Sequence, residues 1–214
     1  MVYMASFPNC LVLTLGLAYL SAPAFAIVGG QEMTVAILTA ASCVDQSCAS
    51  ALTVHYVGVD RTKLLHSNSV TSIVLSPEWN SGTLDSDYAV LQCHDEFVSI
   101  SDSGVAGQAL LSTSAASTHN GTAAKIMGWG KSSGSSNNMP TALHEAHMII
   151  WDQGTCKAQW SDKHKITDNM ACVASEVSSA CNGDSGDPVT DASGLYLLGL
   201  LSLGAPGCPQ DSTV

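Results

Sequence analysis

The chain has 214 residues, 46% of them hydrophobic, and a formal net charge of −11, with 7 basic against 18 acidic side chains. That balance excludes nucleic acid and anionic membrane as partners, because phosphate binding needs clustered cations. An acidic surface otherwise suits a soluble exported protein and identifies no substrate.

Residues 10–20 form an apolar run, and Ser21-Ala22-Pro23-Ala24-Phe25-Ala26 follows with small residues at the spacing signal peptidase reads. The run is too short to span a bilayer. It is either an N-terminal core helix or, as we expect, the h-region of a signal peptide at 1–26, which makes the protein secreted and extracellular. Of eight cysteines, Cys10 lies in this leader, so an odd number remains and one thiol lacks a partner. No CxxC or HExxH occurs, so neither metal nor cofactor is expected.

Ile27-Val28-Gly29-Gly30 is by itself an apolar tetrapeptide of little specificity. Residues 51–57 and 69–75 are rich in β-branched side chains with partial alternation, the pattern of half-buried strands. Pro77, Asn80, Ser81 and Gly82 punctuate a loop, after which Asp85-Ser86-Asp87 opens the run Tyr88-Ala89-Val90-Leu91. Residues 101–122, rich in Ser, Ala, Gly and Thr, read as a connection and end in the glycosylation sequon Asn120-Gly121-Thr122. Residues 144–150 alternate as a further strand. Many short strands with little helical period give an all-β protein.

The chemistry concentrates at 181–188, Cys-Asn-Gly-Asp-Ser-Gly-Asp-Pro. Ser185 between glycines suits a nucleophile on a tight turn, because glycine reaches conformations closed to other residues and leaves backbone N–H groups free to face an oxyanion. The stretch resembles the GDSGGP nucleophile loop of trypsin- and chymotrypsin-like serine proteases, with Asp187 where that family has its second glycine. The G-x-S-x-G elbow of α/β-hydrolases fails at the same residue, so landmarks elsewhere decide.

Those landmarks run in order. Residues 27–30 resemble the family's mature N-terminus, which implies an ion pair between the freed Ile27 ammonium and Asp184. Residues 36–43 are similar to the strand and short helix ending in LTAAHC, with Ser42 at the histidine position. Residues 85–91 resemble DxDIALL, which makes Asp87 the acid that orients the histidine; taken alone, Asp87 is equally a surface carboxylate at a strand start. Residues 123–130 look like the strand ending in GWG, 166–170 are close to ITDNM, and 196–204 resemble the cleft strand GIVSWG, with Leu203 for its tryptophan.

The resemblance implies two six-stranded antiparallel Greek-key barrels forming one trypsin-like domain. The N-terminal barrel, 27–107, is expected to lack strands, and the C-terminal barrel, 108–214, to lack its last strand and helix. Cys156–Cys172 and Cys181–Cys208 are the implied disulfides. Cys43, Cys48 and Cys93 are left open, with Cys48 near enough in sequence to pair with Cys43. The amides of Gly183 and Ser185 would form the oxyanion hole, and Ser179, Ser202, Leu203 and Gly204 would bind substrate. Ser179, at the position that sets the side-chain preference, suits an uncharged or apolar group.

A serine hydroxyl attacks only when a base takes its proton, and in this family a histidine held by an aspartate is that base. The chain offers Ser42, Asp87 and Ser185 in that order, and Ser42 is no base near neutral pH. Loss of the histidine from a mechanistically equivalent protease costs on the order of 10⁶ in turnover, about 8 kcal/mol. Asp187 must find room and hydrogen bonds in a glycine position or be desolvated at a cost of several kcal/mol. None of His55, His66, His94, His119, His144, His147 or His164 lies in a motif that places it beside Ser185. The expected function is that of a secreted protease homologue that binds without cleaving, its partner a protein such as a secreted hydrolase, as in the glucanase inhibitor proteins of oomycete plant pathogens. The alternatives are an active secreted serine endopeptidase working through an acyl-enzyme and a degenerate fragment that does not fold.

Overall fold

The structure is a computed structural model that describes residues 2–6, 11–15, 36–94, 110–112 and 119–209. Its strands are β1 (Val2–Ser6), β2 (Leu11–Leu15), β3 (Ala36–Thr39), β4 (Thr53–Tyr56), β5 (His66–Leu75), β6 (Ala89–Cys93), β7 (Leu110–Leu111), β8 (Ala123–Gly128), β9 (His144–Ile150), β10 (Val173–Ala174), β11 (Pro188–Asp191) and β12 (Tyr196–Leu200). They form two sheets of six, ordered β2-β1-β4-β5-β6-β3 and β10-β9-β8-β11-β12-β7. All pairings are antiparallel except that of β7 with β12. In the first sheet β3 returns beside β6, and in the second β11 returns beside β8; both are Greek-key arrangements. The expected all-β, two-sheet architecture is the one found. Two strands of the first sheet come from the segment read as a signal peptide, with Met4 opposite His55 and Ala5 opposite Val54. Ala26 and Ile27 lie outside the described residues, as do 95–109 and 113–118 of the connection.

Alternation builds each core, since successive strand side chains point to opposite faces. Along β6, Ala89, Leu91 and Cys93 are buried, and they meet Ile37, Val54, Tyr56 and Val70. The second core gathers Ile126, Met148, Ile150 and Val189. Burying each such large side chain contributes about 1.5–3 kcal/mol. The halves are knitted by polar contacts. The indole of fully buried Trp129 donates to Val59 O (3.2 Å) and Thr141 O (2.9 Å), and Arg61 Nε donates to Pro140 O at 2.8 Å.

One element departs from the sequence reading. An α-helix, α1 (Gln153–Trp160), follows β9, capped by Asp152, whose Oδ1 accepts Thr155 N at 2.9 Å. Such a cap satisfies an amide left unpaired at a helix start. Cys156 and Trp160, four residues apart, share the buried face, and Cys156 is joined to Cys172.

Candidate active site

The first sheet supplies Ser42 and Asp87. The β3–β6 register sets Thr39 opposite Ala89, so the residues just after β3 and just before β6 share one end of the sheet. There β3 runs into a single turn of 3₁₀ helix, Ala41–Cys43. Asp87 leaves a tight loop in which Leu84 (φ 53°) and Ser86 (φ 54°) take left-handed backbone. That loop is pinned by the second half, because Thr167 Oγ1 donates to Asp85 Oδ1 at 2.6 Å and Asn169 Nδ2 donates to Ser86 Oγ at 3.4 Å. Half-buried Asp87 accepts three hydrogen bonds. Ser42 N reaches Oδ1 at 2.7 Å, while Ser42 Oγ and Ser202 Oγ reach Oδ2 at 2.8 and 2.5 Å. A hydroxyl has one proton to donate, and that of Ser42 is committed to Asp87.

The second sheet supplies Ser185, on the turn leading into β11. Gly186 (φ 85°) lies so near the first sheet that a Cβ there would sit 2.6 Å from Thr39 Oγ1 and 3.1 Å from Ala40 N. Cys43 Sγ donates to Ser185 O at 3.6 Å. The turn carrying Ser185 therefore abuts the β3–3₁₀ junction that carries Ser42, and Asp87, Ser42 and Ser185 converge where the sheets meet. The amides of Asp184, Gly186 and Asp187 bond to Cys181 O, Leu201 O and Asp184 O at 3.0, 2.7 and 3.0 Å. Among the described residues the amides of Gly183 and Ser185 make no such backbone bond. Three of the histidines have other partners. His66 lies against the Tyr56 ring at 5.3 Å, His164 bonds to Thr83 O at 2.8 Å, and His147 faces Glu145 at 3.4 Å.

Beneath the turn lie two carboxyls. Asp184 accepts Gly130 N at Oδ1 (2.7 Å) and Cys181 N at Oδ2 (2.8 Å). Burial pushes its carboxyl above the usual range, and these amide bonds work against that shift. Asp187 is fully buried, and no N–H or hydroxyl donor reaches either oxygen. Burial first, and the charge of Asp184 second, push its carboxyl well above the usual range. Ile27, the implied partner of Asp184, lies outside the described residues.

The implied substrate residues line two cavities that meet at Leu201. Ser179 borders a cavity of about 200 Å³ together with Gly130, His144 and Asp184. Ser202 and Leu203 line a cavity of about 640 Å³ with Asp87, Tyr88 and Asn169. Gly204 is exposed and borders neither. Ser202, read only as a cleft residue, proves to be a hydrogen-bond donor to Asp87; no sequence signal links positions 115 residues apart.

Disulfides join Cys156 to Cys172 and Cys181 to Cys208. Cys43 and Cys93 are buried and Cys48 exposed, none in a disulfide, and burial pushes the Cys93 thiol up to about 12. Asn120 stands on an exposed turn. Among the described residues no cluster of three metal-ligating side chains occurs, and no helix is long and apolar enough to cross a membrane.

The family model described as Trypsin matches residues 30–214. Trypsin delta of Drosophila erecta is 30% identical over 203 residues, covering 85% of this chain and 79% of that protein. Trypsin Blo t 3 of Blomia tropicalis is 32% identical over 179 residues, covering 81% and 65% respectively. Among solved structures, a scabies mite inactivated protease paralogue superposes with a TM-score of 0.80 over 99% of this chain and 84% of its own, at 20% identity. At that identity the likeness speaks for the fold, a trypsin-like pair of barrels.

Proposed function

The chain belongs to the trypsin family, and from that premise we propose that it is a non-catalytic member, a secreted binding or inhibitor protein. The observation that carries this reading is the pairing of Asp87 with Ser42. In a working site the acid holds an imidazole, which takes the nucleophile's proton. Here both Asp87 oxygens are held by Ser42 and Ser202, and the residue at the histidine position offers a hydroxyl already donating to the acid. What remains around Ser185 is a turn with the two implied oxyanion amides, which binds an oxyanion without generating a nucleophile.

The partner we assign is a protein, such as a secreted hydrolase, engaged by the loops at the ends of the sheets. Loops on a rigid scaffold are a ready recognition surface, and loss of a base leaves that surface intact. The mite protein that shares this fold is named for having been inactivated, which supports a family in which the scaffold outlives turnover. The two disulfides fit an oxidising, extracellular compartment.

A fluorophosphonate probe, which reacts only with an activated serine, tests the reading. The purified chain, shown folded by circular dichroism, is expected to stay unlabelled, indistinguishable from Ser185→Ala. Labelling that disappears in Ser185→Ala would overturn the proposal and make the protein an active serine endopeptidase.

A further inference from the structure

The side chains of Asp184 and Asp187 meet over β8. A Cβ built on Gly128 would lie 2.1 Å from Asp187 Oδ2 and 2.3 Å from Asp184 Oδ1, so both oxygens crowd one point that only a glycine leaves empty. Two ionised carboxylates this close, out of water, cannot coexist, and one must hold a proton. The surroundings decide which. Asp184 is fixed by two backbone amides, from Gly130 and Cys181, which favour its charged form. Asp187 has no donor of its own and no exposure.

We propose that Asp187 is a neutral carboxylic acid that donates its proton to Asp184, and that this shared proton positions the turn bearing Gly183 and Ser185. Asp187 acts through Asp184 and is thus a positioning residue. Its role goes beyond the proposed function, because it holds whether or not Ser185 turns over a substrate.

Among the described residues, few charged and titratable groups surround the pair. Asp184 shares the turn, while His144 and Glu145 of β9 and Lys131 after β8 border the cavity beside it. Cys43 of the 3₁₀ helix touches Ser185 O, and β8 brings Gly128 against the pair. His144 favours the charge on Asp184, which agrees with the assignment.

In the unfolded chain Asp187 titrates at the ordinary value of 3.8, and in the folded chain well above it. Between those values the folded state holds a proton that the unfolded state has lost. The folding equilibrium constant therefore falls as pH rises, by up to about tenfold per pH unit. Asp187→Asn keeps a donor of the same shape and removes the titration.

The unchanged chain is expected to show a protonated-carboxyl band in its infrared spectrum at neutral pH, absent from Asp187→Asn. Its urea midpoint is expected to fall, as pH rises above the ordinary carboxylate range, more steeply than that of Asp187→Asn. If Asp187→Asn does not fold, Asp187→Gly serves as the comparison. Absence of the band from the unchanged chain, or pH curves that run parallel, would overturn the proposal.

Discussion

The two halves of the site depart from the trypsin family's motifs in opposite ways. In the first sheet, strand register still delivers residue 42 to Asp87, and the backbone is in place. One side chain differs from the motif, because Ser42 rather than a histidine bonds to Asp87. In the second sheet the glycine-dependent turn is likewise kept, and a side chain has been added: Asp187 fills the space over Gly128 and is accommodated beside Asp184. The difference teaches that a fold tolerates an intruding acid when a neighbouring glycine gives it room and a second carboxyl takes its proton. Chemistry that rests on one basic atom has no such reserve.

Returning an imidazole to position 42 breaks the comparison most directly. Ser42→His is expected to raise fluorophosphonate labelling of Ser185 by about 10³-fold, the typical worth of a positioned general base. That is about 4 kcal/mol of barrier. If Ser42→His with Asp187→Gly labels no faster than Ser42→His alone, the acid pair leaves the turn competent and the first half alone carries the defect. No gain in either variant would move the defect to the Ser185 turn.

A smaller effect sharpens the second half. Gly186 and Gly194 have nearly the same left-handed backbone, φ 85° and 78°, yet a Cβ meets Thr39 and Ala40 at the first and open space at the second. Gly194→Ala is expected to cost about 1 kcal/mol for the backbone alone. Gly186→Ala is expected to cost about 3 kcal/mol, since crowding against the other sheet adds to it. Urea denaturation of both variants checks this; equal losses would mean that the turn does not bear on β3.

What could be read in the sequence followed how local each signal is. The strands around 53–56, 66–75 and 144–150 announce themselves because side-chain alternation and β-branching act over a few residues. Helix α1 leaves little trace in the sequence although Asp152 and Thr155 mark its start, because eight residues with only Cys156 and Trp160 buried give a weak helical period. Asp187 was recognised as a misfit in a glycine position. Its partner Asp184 and the space over Gly128 could not be inferred, because they depend on how β8 passes beneath the turn. Which cavity Ser179 and Ser202 each line is likewise set by packing between strands distant in sequence.

The smallest effect concerns how the halves share Asp87. Ser42 and Ser202, from different sheets, both donate to Oδ2. Ser202→Ala is expected to cost about 1 kcal/mol, the net worth of one such bond, and Ser42→Ala no more, because its backbone amide still reaches Oδ1. Either single change leaves Oδ2 one hydroxyl donor, which can draw closer. The double change strips that oxygen of both and leaves a half-buried carboxylate short of partners. The double variant should therefore lose more than the sum of the singles, by about 0.5–1 kcal/mol of coupling. Strict additivity in a urea-denaturation cycle would mean that Asp87 is anchored by its own loop, through Asp85, Ser86 and the 167–169 segment, and that the second sheet holds it only incidentally.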